Sequence, residues 1–202
     1  METLESAVGL VDTELASRGR GFREGCAVVT RQEQVCRKYQ SVLASAPLQE
    51  RARIACSCAT WLRALLPYAG RSLPDVATLA WEALKAAAEP ELGWRHLAFV
   101  VEESIPYEQE IADFNVGDVF VGNAMAALVY ACEYFASEDD EDLGAVIFQV
   151  ADAIESSYQF TSPQWVDEDA IDYEEVFDAI WNSASEQTLR VHAEQWRDTH
   201  FA

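Results

Sequence analysis

Basic residues are missing from almost the whole second half of this chain. Residues 101–202 contain 24 acidic side chains and only two bases, whereas residues 1–100 contain 11 acids and 12 bases. The formal charge of −21 therefore belongs to the second half. A field of one negative sign repels nucleic acid and anionic membranes and attracts basic surfaces. We therefore expect no direct binding to nucleic acid and no binding to a membrane.

Long uninterrupted apolar runs are missing too. The longest mainly apolar stretches, residues 54–66 and 119–129, are shorter than the roughly 20 residues that a membrane-spanning helix needs. Residues 1–21 carry four acids where a secretory signal needs basic residues before an apolar run. A cytoplasmic protein is therefore expected. Five cysteines are an odd number in a chain too large to depend on disulfides, so free thiols are expected.

The sequence also lacks the motifs that commonly indicate an enzyme. It contains no Gly-x-Ser-x-Gly elbow, no Gly-x-x-x-x-Gly-Lys-Ser/Thr phosphate loop and no His-Glu-x-x-His zinc helix. Cys56 and Cys58 form the only close cysteine pair, and on a helix their thiols would point about 200° apart, which does not suit one metal ion. The three histidines are isolated. No catalytic residue, metal site or cofactor is predicted.

Apolar residues recur at helical spacing along most of the chain, and strand-like alternation is nearly absent. Because half of the residues are hydrophobic and no linker separates the segments, we predict one all-α domain over residues 1–202, a multi-helix bundle of about eight helices. A short first segment is expected at residues 2–16. The following helices are expected at about 30–46, 48–66, 74–84, 92–104, 115–135, 143–154, 168–184 and 186–199.

Three further expectations concern how these helices are arranged. The segment 115–135 is the most apolar and is rich in small residues, which predicts a central helix. The apolar stripe of segment 48–66 leaves Arg51, Arg53 and Arg63 for its outer face. Ser137, with an acid three residues later, is in capping-box register and predicts the start of the next helix.

Two parts of the chain resemble a small all-helical bacterial family of unassigned biochemical function. Residues 54–68 and 76–84 are similar to the family's helix end, Ala-Cys-x-Glu-Arg-x-x-Pro-x-Tyr, and to its following helix, Ala-x-x-x-x-Trp-Glu. Asp113-Phe114 and residues 124–128 resemble its acidic-Phe start of an Ala-rich helix. Related families include immunity proteins that accompany the toxins of polymorphic and contact-dependent systems in interbacterial competition. The resemblance implies a non-catalytic antitoxin and supplies no catalytic residue.

The acids of the second half gather at the expected starts of two helices. Helix dipoles favour two or three carboxylates at such a position, whereas these clusters contain more, and the excess charges repel one another. Either solubility or a basic partner would explain them. The sharper hypothesis is an acidic face that binds the basic active-site cleft of a cognate toxin, with aromatic anchors. The predicted partner-binding residues are Asp139, Asp140, Glu141, Asp142, Trp165, Asp167, Glu168, Asp169, Asp172, Tyr173, Glu174 and Glu175.

Two alternative functions remain open from the sequence. An acidic cluster around Pro106 is of the kind that holds a hard cation in a metal-dependent helical hydrolase. A DNA-mimicking regulator would instead present its carboxylates in place of phosphates. Saturable binding of a divalent metal would indicate the first, and competition by DNA would indicate the second. The acids around Pro106 are Glu102, Glu103, Glu108, Glu110 and Asp113.

Overall fold

The computed structural model describes residues 29–66, 73–86, 93–105, 116–161 and 171–200. Within these ranges the chain forms eight α-helices and no strand, which confirms the all-α prediction. The expected first segment, residues 2–16, lies outside the described residues. The helices are α1 (Arg31–Ala44), α2 (Leu48–Leu65), α3 (Asp75–Ala86), α4 (Trp94–Glu102), α5 (Val116–Ser137), α6 (Asp140–Thr161), α7 (Tyr173–Asn182) and α8 (Glu186–His200).

Helices α5 and α6 form the most extensive pair in the described fold. Only two residues connect them, so they pack as an antiparallel hairpin. The expected central helix, α5, also contacts α2, α3 and α4. It shares the centre with α2, which contacts α3, α5, α6, α7 and α8. The buried apolar side chains of all eight helices form one cluster, so these helices share a hydrophobic core.

Helix α2 is buried around most of its circumference. Ile54, Cys58, Trp61 and Leu62 have no exposed surface, because other helices cover α2 on several sides. The Trp61 indole meets Trp196 of α8 edge to face, with ring centroids 5.3 Å apart. Such aromatic pairs stabilise a fold beyond their burial alone. This contact joins the last helix to the centre of the molecule.

Arg51 joins the end of α1 to the start of α6, which corrects the expectation that it faces outward. Its guanidinium donates hydrogen bonds to the carbonyl oxygens of Ala44 at 2.7 Å and Ala46 at 2.9 Å, where α1 ends. It also donates to the Asp140 carboxylate at 2.7 Å, where α6 begins. Carbonyls at the C-terminal end of a helix have no partner within the helix, so a cation there both satisfies them and interacts favourably with the helix dipole.

Arg53 is also partly buried and has a similar role at the end of α7. It makes a two-point ion pair with Glu50 at 2.7 and 2.9 Å. It also donates to the carbonyl oxygen of Trp181 at 2.9 Å. The two arginines were expected on the outside because they lie off the apolar stripe of α2. Periodicity does not show which ends of other helices lie beside that face.

The turn between α5 and α6 uses a different cap from the one that the sequence predicts. Helix α5 continues to Ser137, so this residue ends one helix and does not begin the next. Glu138 takes a left-handed conformation with φ of 58°, and its N–H donates to the Tyr134 carbonyl at 2.7 Å. The Asp139 carboxylate then accepts the Glu141 N–H at 2.9 Å and acts as the cap of α6.

Within α5, the segment Gly117–Ser137 is long and apolar enough to cross a membrane by length and composition. This finding corrects the expectation that no apolar segment reaches that length, because the helix extends beyond the apolar run of residues 119–129. In the structure 61% of the tested window is buried. Burial of this extent is the property of a helix in the interior of a bundle.

The described cysteines are free thiols, as predicted, and Cys26 lies outside the described residues. Cys58 and Cys132 are buried, whereas Cys36 and Cys56 are partly buried. Burial raises the pKa of Cys36 and of Cys132 to about 12, and the nearby carboxylates of Glu33 and Glu133 add to the rise. These two thiols are therefore protonated at neutral pH and pack as apolar groups.

We expect Arg51→Met to destabilise the fold because it removes hydrogen bonds at the ends of α1 and α6. Hydrogen bonds of charged groups contribute about 1.5–3 kcal/mol, so a loss of about 2 kcal/mol in the free energy of unfolding is predicted. Urea unfolding followed by circular dichroism measures it. Arg37→Met, at an exposed position of α1, is the matched control and should change stability by less than about 0.5 kcal/mol. Equal losses in both variants would contradict this role of Arg51.

Candidate functional site

Five consecutive acids form the connection between α5 and the first turn of α6, and we call residues 138–142 the acidic turn. Glu138, Asp139 and Glu141 are exposed, and Asp142 is partly exposed. Asp140 is bound by Arg51, and Asp142 accepts a hydrogen bond from the Ser137 hydroxyl at 3.1 Å. The acidic turn therefore gives one carboxylate to the tertiary fold and presents most of the others to solvent.

A second group of acids, Asp172, Glu174 and Glu175, begins α7, and we call it the α7 acidic start. Asp172 caps the helix by accepting the Glu175 N–H at 3.0 Å. Glu174 makes a two-point ion pair with Arg31 of α1 at 2.7 and 2.8 Å, and Lys38 lies 3.8 Å away. Glu175 is exposed. Here too, folding uses part of the negative charge and leaves part of it at the surface.

Tyr173 cannot anchor a partner in the folded protein, which corrects the prediction. Its side chain has no exposed surface, and its hydroxyl lies 3.5 Å from the Glu155 carboxylate of α6. The buried stripe of α7 explains this position, because residues 173, 176, 177 and 180 occupy one helix face. The other predicted residues, Trp165, Asp167, Glu168 and Asp169, lie outside the described residues.

The two acidic groups lie at opposite ends of α6. Asp140 is the first residue of α6, whereas the α7 acidic start lies beside Glu155, 15 residues further along. At 1.5 Å per residue this separation is about 22 Å. The predicted acidic face is therefore two patches. Asp139, Glu141 and Asp142 belong to one of them, and Asp172 and Glu175 belong to the other.

Helix α1 lies along α6 between the two patches. Its first residue, Arg31, contacts Glu174, and its Gln40 donates to the Asp140 carbonyl at 3.3 Å. Gly144 permits this close approach, because a Cβ atom there would lie 2.6 Å from the Gln40 amide nitrogen. The bases of α1 thus lie between the acids, and the surface between the patches has mixed charge.

Ion pairs across the chain partly neutralise the asymmetry of the sequence. Four bases of the first half pair with three acids of the second half: Arg31 and Lys38 with Glu174, Arg51 with Asp140, and Lys85 with Glu186. Two of these acids, Asp140 and Glu174, belong to the clusters that were expected to carry uncompensated charge. A linear sequence gives no signal for pairs separated by about a hundred residues, so these partners could not be assigned in advance.

His192 of α8 is not isolated, although the sequence suggested that it was. Its Nδ1 accepts a hydrogen bond from the Trp61 indole N–H at 3.3 Å, and its Nε2 lies 3.9 Å from Glu175. Burial lowers the pKa of His192, and the Glu175 carboxylate only partly opposes that effect. The imidazole is therefore neutral at pH 7, with Nδ1 as the acceptor. It connects the buried Trp61 to the α7 acidic start.

The acids proposed for a metal-dependent hydrolase are mostly outside the described ranges. Glu102 and Glu103 are exposed at the end of α4, and Glu108, Glu110 and Asp113 fall in the undescribed segment 106–115. Among the residues that the structure describes, no three His, Cys, Asp or Glu side chains come together in an arrangement that would hold a metal ion.

Two cations, Arg63 and Lys85, lie beside the Trp81 indole, and no sequence pattern had singled them out. We call these three residues the Trp81 cluster. The Arg63 guanidinium lies 3.8 Å from the ring centroid of Trp81, and the Lys85 ammonium lies 4.7 Å from it. Both distances are within the range of cation–π attraction. Trp81 and Lys85 are four residues apart on α3, so this contact was readable from the sequence. The approach of Arg63 from α2 was not.

Comparison of the chain with protein-family models, curated proteins and solved structures gives no match.

His192 predicts a pH dependence of stability. Its pKa is lowered on folding, so between the ordinary value of about 6.5 and the lower folded value the unfolded chain binds more protons. Its contribution is fully present above about pH 6.5 and is lost as the pH falls through that window. Chemical denaturation at a series of pH values from about 7.5 to 5 measures the slope.

His192→Gln should flatten that part of the pH dependence, because the glutamine cannot titrate. His96→Gln is the matched control, since His96 is exposed on α4 and its replacement should leave the slope as in the wild type. A steep slope that persists in His192→Gln would assign the acid sensitivity to other groups.

Proposed function

We propose that the protein is a non-catalytic immunity protein of the antitoxin type, which binds a cognate bacterial toxin and covers its basic active-site cleft. The acidic turn is the centre of the proposed interface, and the α7 acidic start is its second contact. Inhibition requires only binding, because a substrate cannot reach a cleft that another protein fills. The predicted metal-free, cofactor-free character of the chain agrees with such a role and is part of the proposal.

The main support for the proposal is that the acidic turn exposes carboxylates that have no role in holding the fold together. Arg51 binds Asp140, and the cap of α6 needs only Asp139. Glu138 and Glu141 are exposed at the same turn. Neighbouring like charges repel and lower stability, so a surface that keeps them favours an external partner of opposite charge.

Electrostatics of this kind suits a protein that must find its toxin quickly. Complementary charges raise association rates and discriminate against partners of the wrong sign. The spacing of the two patches also suits a protein interface. A typical interface buries about 800 Å² per partner, a patch roughly 30 Å across. The contacts of the two acidic groups with α6 are separated by about 22 Å along that helix, which is within the span of one such interface.

The test requires a variant that removes charge and keeps the turn. Asp139→Asn, Glu141→Gln and Asp142→Asn together remove three charges, and asparagine at position 139 retains a side-chain oxygen for the cap. We expect the toxin affinity of this triple variant to fall by at least about tenfold and to become less dependent on salt. The partner to test is the product of the neighbouring gene, by colony survival on co-expression and by calorimetry at two salt concentrations.

A control with the same change in net charge separates the turn from general acidity. Asp75→Asn, Glu102→Gln and Glu103→Gln remove three exposed carboxylates from α3 and the end of α4. This control should protect cells as well as the wild type does. If the control loses as much protection as the turn variant, total charge explains the effect. If the turn variant protects fully, the proposed interface is wrong.

A further inference from the structure

A cleft of about 700 Å³ lies between α2, the end of α3 and the connection from α7 to α8. Its size is typical of sites for small organic molecules. Apolar side chains provide much of its wall: Leu48, Ala52, Leu84, Phe135 and Leu189. The acidic patches lie elsewhere, because none of the residues of the acidic turn or the α7 acidic start lines this cleft.

The cleft continues into a smaller one of about 490 Å³. Both are lined by Thr60, Lys85 and Glu186, so the two spaces meet at these residues. The smaller cleft also contains Arg63, Trp81 and Arg190, together with Glu82 and Glu194. The combined space therefore has an apolar end and an end lined by an indole ring, three cations and three carboxylates.

Arg63 is the cation most available to a ligand. Its guanidinium stacks on Trp81, and no acceptor or carboxylate among the described residues lies within hydrogen-bond or ion-pair distance of it. Trp81 is itself fixed, because its indole N–H donates to the Thr60 hydroxyl at 3.0 Å. A guanidinium held against a fixed ring has fewer orientations open to it, and its planar fork of N–H donors matches a carboxylate.

Lys85 supplies a second cation at the junction of the two clefts. Its ammonium is 2.8 Å from Glu186, and both side chains are about half exposed. An exposed pair of this kind contributes little to stability, so its lysine can exchange one carboxylate for another at small cost. Lys85 and Arg63 thus lie 4.7 and 3.8 Å from the centroid of the same Trp81 ring, so both cations border this end of the cleft.

We propose that this cleft binds a small amphipathic carboxylate. The apolar body of the ligand would lie in the larger, apolar cleft, and its carboxylate would contact Arg63 and Lys85. A wholly apolar ligand would leave the Arg63 donors unmatched. Glu82, Glu186 and Glu194 also line this end, and Glu186 and Glu194 pair with Lys85 and Arg190. Arg63 has no such pair among the described residues, so it is the cation that decides whether an anion binds. The inference is independent of the acidic patches and of any toxin.

Decanoate is the probe, titrated into the full-length protein by calorimetry at concentrations below micelle formation. We expect saturable binding of one molecule per chain. Decanol has the same chain without the charge and should bind at least about tenfold more weakly, the difference expected for one charge-assisted hydrogen-bonded pair. Equal affinity for decanol, or binding that does not saturate, would overturn the proposal.

Two variants locate the site, and one controls for charge. Arg63→Met should weaken decanoate binding by about tenfold and leave decanol binding unchanged. Ala52→Leu places a larger side chain in the apolar cleft and should weaken the binding of both probes. Arg37→Met removes an equal charge from the exposed side of α1 and should change neither. Helical circular dichroism checks that each variant is folded. If Arg37→Met weakens decanoate as much as Arg63→Met does, the cleft is not the site.

Discussion

The guanidinium of Arg51 is the contact on which the arrangement of the helices most depends. It holds the last carbonyls of α1 and the first carboxylate of α6, so one side chain of α2 fixes the ends of two other helices. Arg53, two residues later, does the same for the end of α7. The polar ends of these helices are thus tied to α2, which contacts five of the other described helices.

This arrangement shows which parts of the structure were predictable. Six of the eight described helices begin and end within two residues of the expected positions, because apolar spacing and prolines are local signals. Helix α6 extends seven residues beyond the expected end, and α7 begins five residues after the expected start. The burial of Tyr173 was also readable, since it shares a helix face with Val176, Phe177 and Ile180. Tyr173 was nevertheless expected at the surface, because it is surrounded in the sequence by acidic residues.

The candidate sites were less predictable, because they depend on contacts between distant segments. The pairing of Arg31 with Glu174 spans 143 residues, and no pattern in the chain indicates it. The cleft could not be predicted for the same reason. Several helices form its walls, and periodicity predicts each helix separately without showing how the helices pack. Acid clusters are visible in a sequence as soon as they are contiguous. Their division into two patches becomes visible only when α6 is seen to separate them.

Helix α6 helps to fix the distance between the two acidic patches. A helix is stiff over this distance, so side-chain motion alone cannot change the spacing appreciably. A partner that binds both patches must carry its own basic sites at a matching interval. The protein would then select its partner by the distance between the partner's basic sites as well as by the sign of their charge.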